Sequence, residues 1–441
     1  MRRSRLSTTR LSSSLLSSSH FSPSGFSRSG RTPSRVLVAA VAIALVGVTA
    51  ACSSSTAASS SASSSAATNS AATNSAAAGS PASAASAGSS GAGSVTKASA
   101  AGSAAATSAA GSAANAAAPV SDAETLRLGY FPNVTHAAAV LGVKDGTFQK
   151  ALGTTKLETS TFNAGPAAIE ALLSGAIDAA FIGPNPAINA FVKSNGDALR
   201  IVAGATNNGA TLVVKPDINS AADLKGKTLA TPQLGGTQDV ALRKWLLDNG
   251  LKVQTTGGND VDIVNQENSQ TLDLFKSGEI DGAWLPEPWA SRLVLEAGAK
   301  TLVDEKTLWP DEKFQTTILI SSRQFLQDHP GTIQALISGE VGEIDAIKAD
   351  PATAQKNLNA AIGELTGKPL ADATIQAAFA NIQPTWNPLA GTLNTIAQHG
   401  VEAGTLTKAP DLAGIYDLTA LNKVLAAAGK PAVSAAGLGT E

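Results

Sequence analysis

The chain has 441 residues, with 32 Lys and Arg against 34 Asp and Glu, 43% apolar residues and a single cysteine. One cysteine excludes an intrachain disulfide and a cysteine-based metal cluster. The near-balance of charge hides an asymmetry, because no acidic residue occurs from Met1 to Val120, so the chain has to be taken segment by segment.

Residues 1–51 carry seven arginines and an apolar run from Val36 to Val48, followed by Thr49-Ala50-Ala51 ahead of Cys52. A basic segment, an apolar core and small residues at a cleavage position are the marks of an export signal. The apolar run is shorter than the roughly 20 residues that a membrane-spanning helix needs. Cys52 directly after small residues resembles the lipobox of bacterial lipoproteins, with Thr49 where Leu is usual. That resemblance implies lipidation at Cys52 and an extracytoplasmic protein anchored to the cell membrane. Removing residues 1–51 leaves 25 basic against 34 acidic groups, a net charge of −9. Such a chain has no basic footprint for nucleic acid, and an anionic ligand would have to be held by local dipoles.

Residues 52–121 are rich in Ser and Ala; from Ser53 to Pro119 the only charge is Lys97 and there is no aromatic residue. This composition buries too little apolar surface to offset its ordering entropy, so a disordered tether is expected.

Beyond the tether, short apolar runs alternate with amphipathic helical patterns. A first set reads "TLRLGYF", "THAAAVLGVKDG", "LETSTF", "GPAAIEALLSG", "AAFIG" and "NPAINAFVKSNG"; a second reads "KTLATP", "TQDVALRKWLLDNG", "VDIVNQ", "SQTLDLFKSG", "GAWLP" and "EPWASRLVLEAG". The alternation predicts an α/β fold with largely parallel sheets, and the length suits two lobes. After "FQTTILIS" the pattern is helical to the end. The expected organisation is lobe 1 at 122–210 and, helical, at 318–441, with lobe 2 at 211–317. The chain then crosses between lobes twice, near Ala205–Leu212 and near Gln315–Ile320, which makes a hinge.

"SGAIDAAFIGPNPA" from Ser174 and "SGEIDGAWLPEPWA" from Ser277 occupy the same slot in the two sets. Gly175 and Gly278 suit a helix end, Ile177 and Ile280 a core, and Asp178 and Asp281 a tight turn before a strand. The copies diverge at the strand end, where Gly183-Pro184-Asn185 faces Pro286-Glu287-Pro288.

At "LRLGYFPNVTHAAAVLG", "SGAIDAAFIGPNPAINAFV", "DLKGKTLATPQLGGTQDVALRKWL" and "SGEIDGAWLPEPWASRLV" the sequence resembles the substrate-binding lipoproteins of ABC importers for aliphatic sulfonates, taurine and nitrate. The resemblance runs from about Leu126 to Leu336. It implies a two-lobed periplasmic-binding-protein fold of type II, with mixed, mainly parallel sheets and a two-crossing hinge. It also implies closure on a small molecule that is delivered to a permease and its ATPase; the expected solute is a sulfonate-type oxyanion or zwitterion, and a monomer without cofactor or enzymatic activity is expected. Nitrate, a pyrimidine precursor of thiamine stacked on Trp284, or a signalling or adhesion role on the same fold stand as alternatives.

In open α/β sheets a ligand sits beyond the carboxyl ends of the strands, where free N–H groups and helix dipoles favour anions. The turns of that kind offer Thr135 and His136, Asn163 and Gly165, Asn185, and the run Gly235-Gly236-Thr237. From the second set come Trp284 and Glu287, with Trp289 expected to pack. Glu287 either takes the amine of a zwitterionic solute or caps its own helix. Gly226-Lys227-Thr228 imitates a phosphate loop, but Ala221 stands where that motif needs glycine. Metal ligands at zinc spacing and a thiol nucleophile are not found in the sequence.

Overall fold

The structure is a computed structural model in which residues 122–256 and 258–441 are described. The expected signal segment, Cys52 and the tether lie outside the described residues.

The first strand–helix units are β1 (Thr125–Tyr130), α1 (Ala137–Lys144), α2 (Thr147–Leu152), β2 (Lys156–Thr161), α3 (Gly165–Leu173), β3 (Ala179–Ile182), α4 (Pro184–Lys193) and β4 (Leu199–Asn208). Pro166 and Pro184 lie in the first turns of α3 and α4, where a missing N–H costs nothing. The second group is β5 (Ala210–Val214), β6 (Thr228–Thr231), α5 (Thr237–Asp248), β7 (Asp262–Asn265), α6 (Asn268–Ser277), β8 (Gly282–Pro286), α7 (Trp289–Ala297) and β9 (Lys300–Asp304). Then follow β10 (Gln315–Ser322), α8 (Arg323–Asp328), α9 (Pro330–Ala349), α10 (Pro351–Thr366), α11 (Asp372–Ala380), β11 (Ile382–Pro384), α12 (Leu393–Glu402), β12 (Tyr416–Asp417), α13 (Thr419–Ala427) and β13 (Gly439–Thr440). The C-terminal region is therefore not purely helical. Its three short strands all join the first sheet and carry too few residues to show a period of two.

One sheet runs β13-β12-β4-β10-β3-β1-β2, with β11 also on β4, and the other runs β7-β6-β8-β5-β9. Both are mixed. The antiparallel pairings belong to β10 and β11 in the first sheet and to β5 in the second. The first sheet packs in one apolar cluster with helices such as α1, α4, α9 and α13, and the second sheet is covered on both faces by smaller clusters.

The chain leaves the first sheet at Asn208 and Gly209, both at positive φ (64° and 82°). It returns between Asp304 and Gln315, ahead of the expected Gln315–Ile320, which lies wholly inside β10. The two crossings are bonded to each other: Asn208 N donates to Phe314 O at 3.0 Å, and Phe314 N to Asn208 Oδ1 at 3.2 Å.

The repeated stretch has one mechanical role in both sheets. Gly175 and Gly278 end α3 and α6 at φ 72° and 84°. Asp178 N donates to Arg127 O at 2.8 Å while Arg127 N donates to Asp178 Oδ2 at 2.8 Å. Asp281 and Thr228 form the same reciprocal pair at 2.7 and 3.0 Å. Each aspartate thus ties the start of its strand to the neighbouring parallel strand, and so aims both strand ends at the same region.

Candidate functional site

The carboxyl ends of β1, β2, β3, β6 and β8 lead into turns that surround one cavity of about 30 Å³. A single water needs roughly 10–15 Å³ of such space, so this cavity is tight. From the first sheet come Thr135, His136, Gly165 and Gly183; from the second come Gly236 and Thr237. Gly165 opens α3, Gly183 caps α4, and Gly236 caps α5 with Thr237 as its first residue. Three helix N-termini therefore border the cavity, and among the described residues no charged side chain lines it.

His136 is buried with its ring 4.3 Å from that of Phe131. Its Nδ1 accepts from Phe131 N at 3.4 Å. Burial pushes the imidazole pKa down to about 3, so at neutral pH the ring is uncharged. With Nδ1 accepting, the proton sits on Nε2 and makes it a donor. Thr237 Oγ1 is buried with no hydrogen-bond partner among the described residues, a cost that a ligand oxygen would relieve.

Beneath the Gly235-Gly236 turn lies a carboxylate that sequence reasoning missed. Asp239 is fully buried and accepts from Gly235 N, Arg243 Nε, Thr231 Oγ1 and Asn265 Nδ2 at 3.0 to 3.1 Å. Gly235 stands at φ 73°, a conformation open to glycine at little cost, and Asp239 anchors its N–H. Gly235 thus shapes the turn while Gly236 and Thr237 reach the cavity.

Bonds cross the cleft around the cavity. Thr135 N donates to Glu287 O at 3.3 Å, and Trp289 Nε1 donates to Asn133 Oδ1 at 2.9 Å. Asn163 Oδ1 accepts from Asn268 N at 3.2 Å, and Asn163 Nδ2 donates to Pro232 O at 3.4 Å. Asn163 therefore both lines the cavity and joins the two sheets.

Asn185, Trp284 and Glu287 are placed elsewhere. Asn185 lies in a neighbouring space beside His399 and Gln315. Trp284 is fully buried in the core of the second sheet, 6.4 Å from Trp245, and donates its indole N–H to Glu305 at 2.8 Å. Its position two residues before the strand end puts it on a sheet face rather than at the rim. The Glu287 carboxylate accepts from Ser291 N at 3.1 Å, Ser291 Oγ at 2.9 Å and Asn381 Nδ2 at 2.7 Å. These bonds tie the first turn of α7 to the end of α11. Trp289 packs against the core of the second sheet, as expected, and also bridges the cleft through its indole N–H.

Gly183 was visible in sequence only as a point where the two copies part. A Cβ there would collide with Thr237 Oγ1. Asn133, Asn268 and Asp239 carry no local motif.

Similarity to known proteins agrees with this architecture. The chain is 26% identical to the taurine-binding periplasmic protein of Escherichia coli (strain K12) over 47% of this chain and 62% of that protein. It is 28% identical to the nitrate/nitrite binding protein NrtA of Nostoc sp. over 50% of this chain and 53% of that protein. The match thus spans under two thirds of the length of these relatives. Among solved structures, the alkanesulfonate-binding protein SsuA from Xanthomonas axonopodis pv. citri superposes with a TM-score of 0.54 at 22% identity, covering 65% of this chain and 96% of that one. The nitrate-binding protein NrtA from Synechocystis PCC 6803 superposes with a TM-score of 0.59 at 16% identity, covering 70% and 90%. The fold is that of the periplasmic binding proteins. Residues 120–361, more than half of the chain, match the NMT1-like family, and the chain belongs to that family.

Proposed function

We propose that this chain is the extracytoplasmic solute-binding component of an ABC importer, closing its two sheets on a small oxyanionic or zwitterionic solute of the sulfonate type. The observation that carries this reading is the cavity itself, bordered by three helix N-termini and neutral donors and lined by no charged side chain. Such a site holds an anion through free N–H groups and dipole ends, and hydrogen bonds to a charged acceptor are the strong ones. His136 Nε2–H and the Thr237 hydroxyl donate to the head group, while Gly165 and Gly236 let the backbone approach it. Thr135 and Asn163 bind from the rim. Solute capture favours the closed state by the difference in affinity between the two states. No bond is made or broken, so the protein is not an enzyme. The names of the relatives, a taurine-binding and an alkanesulfonate-binding protein, support the same solute class. In this reading the protein is a monomer held at the membrane by a lipid on Cys52 and serves a permease and its ATPase.

A thermal-shift panel of methanesulfonate, taurine, nitrate and an aminopyrimidine tests the assignment. Sulfonates are expected to raise the melting temperature; at 100 times the dissociation constant, stabilisation is about 2.7 kcal/mol. A rise with nitrate or the pyrimidine alone, or with none of them, overturns it.

A further inference from the structure

The cleft holds a second, larger compartment of about 860 Å³ next to the inner cavity. Asn133 and Asn163 line both, so these two side chains form the partition between them. Asn133 is bonded to Trp289 Nε1, and Asn163 to Asn268 N and Pro232 O, across the cleft. A partition of amide side chains held by hydrogen bonds, each of small net strength, can re-bond around atoms that pass between them. A packed apolar wall would instead leave a void.

The outer compartment has its own chemistry. Phe162, Trp289 and Leu370 give it an apolar lining. The Arg292 guanidinium lies 4.7 Å from the Trp289 ring, but its charge is met by Glu296, with two bonds of 3.0 Å. Glu267 and Lys368 also line the compartment, so its charged groups are of both signs around the apolar side chains. Asn268 also lines it, is 2% exposed, and has a side-chain oxygen without a partner. A buried acceptor in that condition is satisfied by an N–H or O–H donor.

We infer that the outer compartment receives the organic arm of the solute whose oxyanionic head occupies the inner cavity, an arm several atoms long, largely apolar, and carrying an N–H or O–H donor for Asn268. This rests on the sulfonate-type reading and narrows it, since a bare oxyanion uses the inner cavity alone.

Calorimetric titration of the full chain with methanesulfonate, pentane-1-sulfonate and 5-hydroxypentane-1-sulfonate tests the inference. Affinity is expected to rise in that order, by about tenfold or more from first to last. Asn268→Ala is expected to bring the hydroxylated ligand to the affinity of pentane-1-sulfonate. The wild-type series is decisive by itself if that variant does not fold. Equal affinity for all three sulfonates overturns the inference and leaves the head-group reading standing; binding of none overturns both.

Discussion

Glu287 and Glu305 are carboxyl groups removed from solvent, and neither lines the inner cavity. Burial raises both pKa values, that of Glu305 to about 8 even though the Trp284 indole N–H opposes the shift. A folded-state pKa above the unfolded one contributes stability that is complete below about 4.5 and is lost as pH rises through about 8. His136 acts in the opposite sense. Its value of about 3 lies below the ordinary 6.5, so its contribution is complete above 6.5 and is lost as pH falls towards 3. Between pH 6.5 and 8 the Glu305 effect is free of that opposition. Glu305→Gln keeps an acceptor for Trp284 and removes the proton. Urea denaturation at pH 6.5 and pH 8 should therefore show the wild type losing stability relative to this variant, by up to about 1.4 kcal/mol per pH unit. Equal losses in both proteins would mean that Glu305 is ionised in the folded state. His136 stays neutral across the same range, so solute affinity is expected not to follow an imidazole titration there.

The strand–helix units were legible because each joins an apolar run to an amphipathic helix through a turn of Gly, Pro, Asn or Asp, as at Gly175 to Pro184. The turns that form the cavity were legible for the same reason, and Thr135, His136, Gly165, Gly236 and Thr237 all border it. What stayed hidden depends on contacts far apart in the chain. Asn133 meets Trp289 across 156 positions, and the partners of Asp239 are drawn from Thr231, Gly235, Arg243 and Asn265. Trp284 illustrates the opposite error. An aromatic near a strand end suggests stacking on a ligand, but both faces of the second sheet are covered, so that side chain is core. Gly183 offers an element-level test, because its φ of −78° suits any residue and only the approach of Thr237 demands glycine. Gly183→Ala should keep the turn from β3 into α4 yet hinder the approach of α5. The expected result is a solute affinity reduced by about tenfold or more in calorimetry, with the melting temperature without solute little changed. Unaltered affinity would mean that the two elements need not meet when solute binds.

Among the described residues, two mixed sheets face each other over a cleft, and the crossings that join them are bonded at Asn208 and Phe314. Asp178 and Asp281 set the strand ends in the same way in both halves, while the turns beyond them differ, so the halves present different groups to one solute. Glu287 lies beside this junction: its backbone N–H donates to Gly209 O at 2.8 Å and its carboxylate accepts from Asn381 Nδ2 at 2.7 Å. In the proposed function, closure is a shift between open and closed states, driven by whatever the solute gains only when both halves touch it. The most direct test is the crystal structure of the protein grown with methanesulfonate. The account predicts sulfonate oxygens within hydrogen-bond distance of His136 Nε2 and Thr237 Oγ1, at the N-terminal turns of α3 and α5. A sulfonate bound elsewhere would contradict the account.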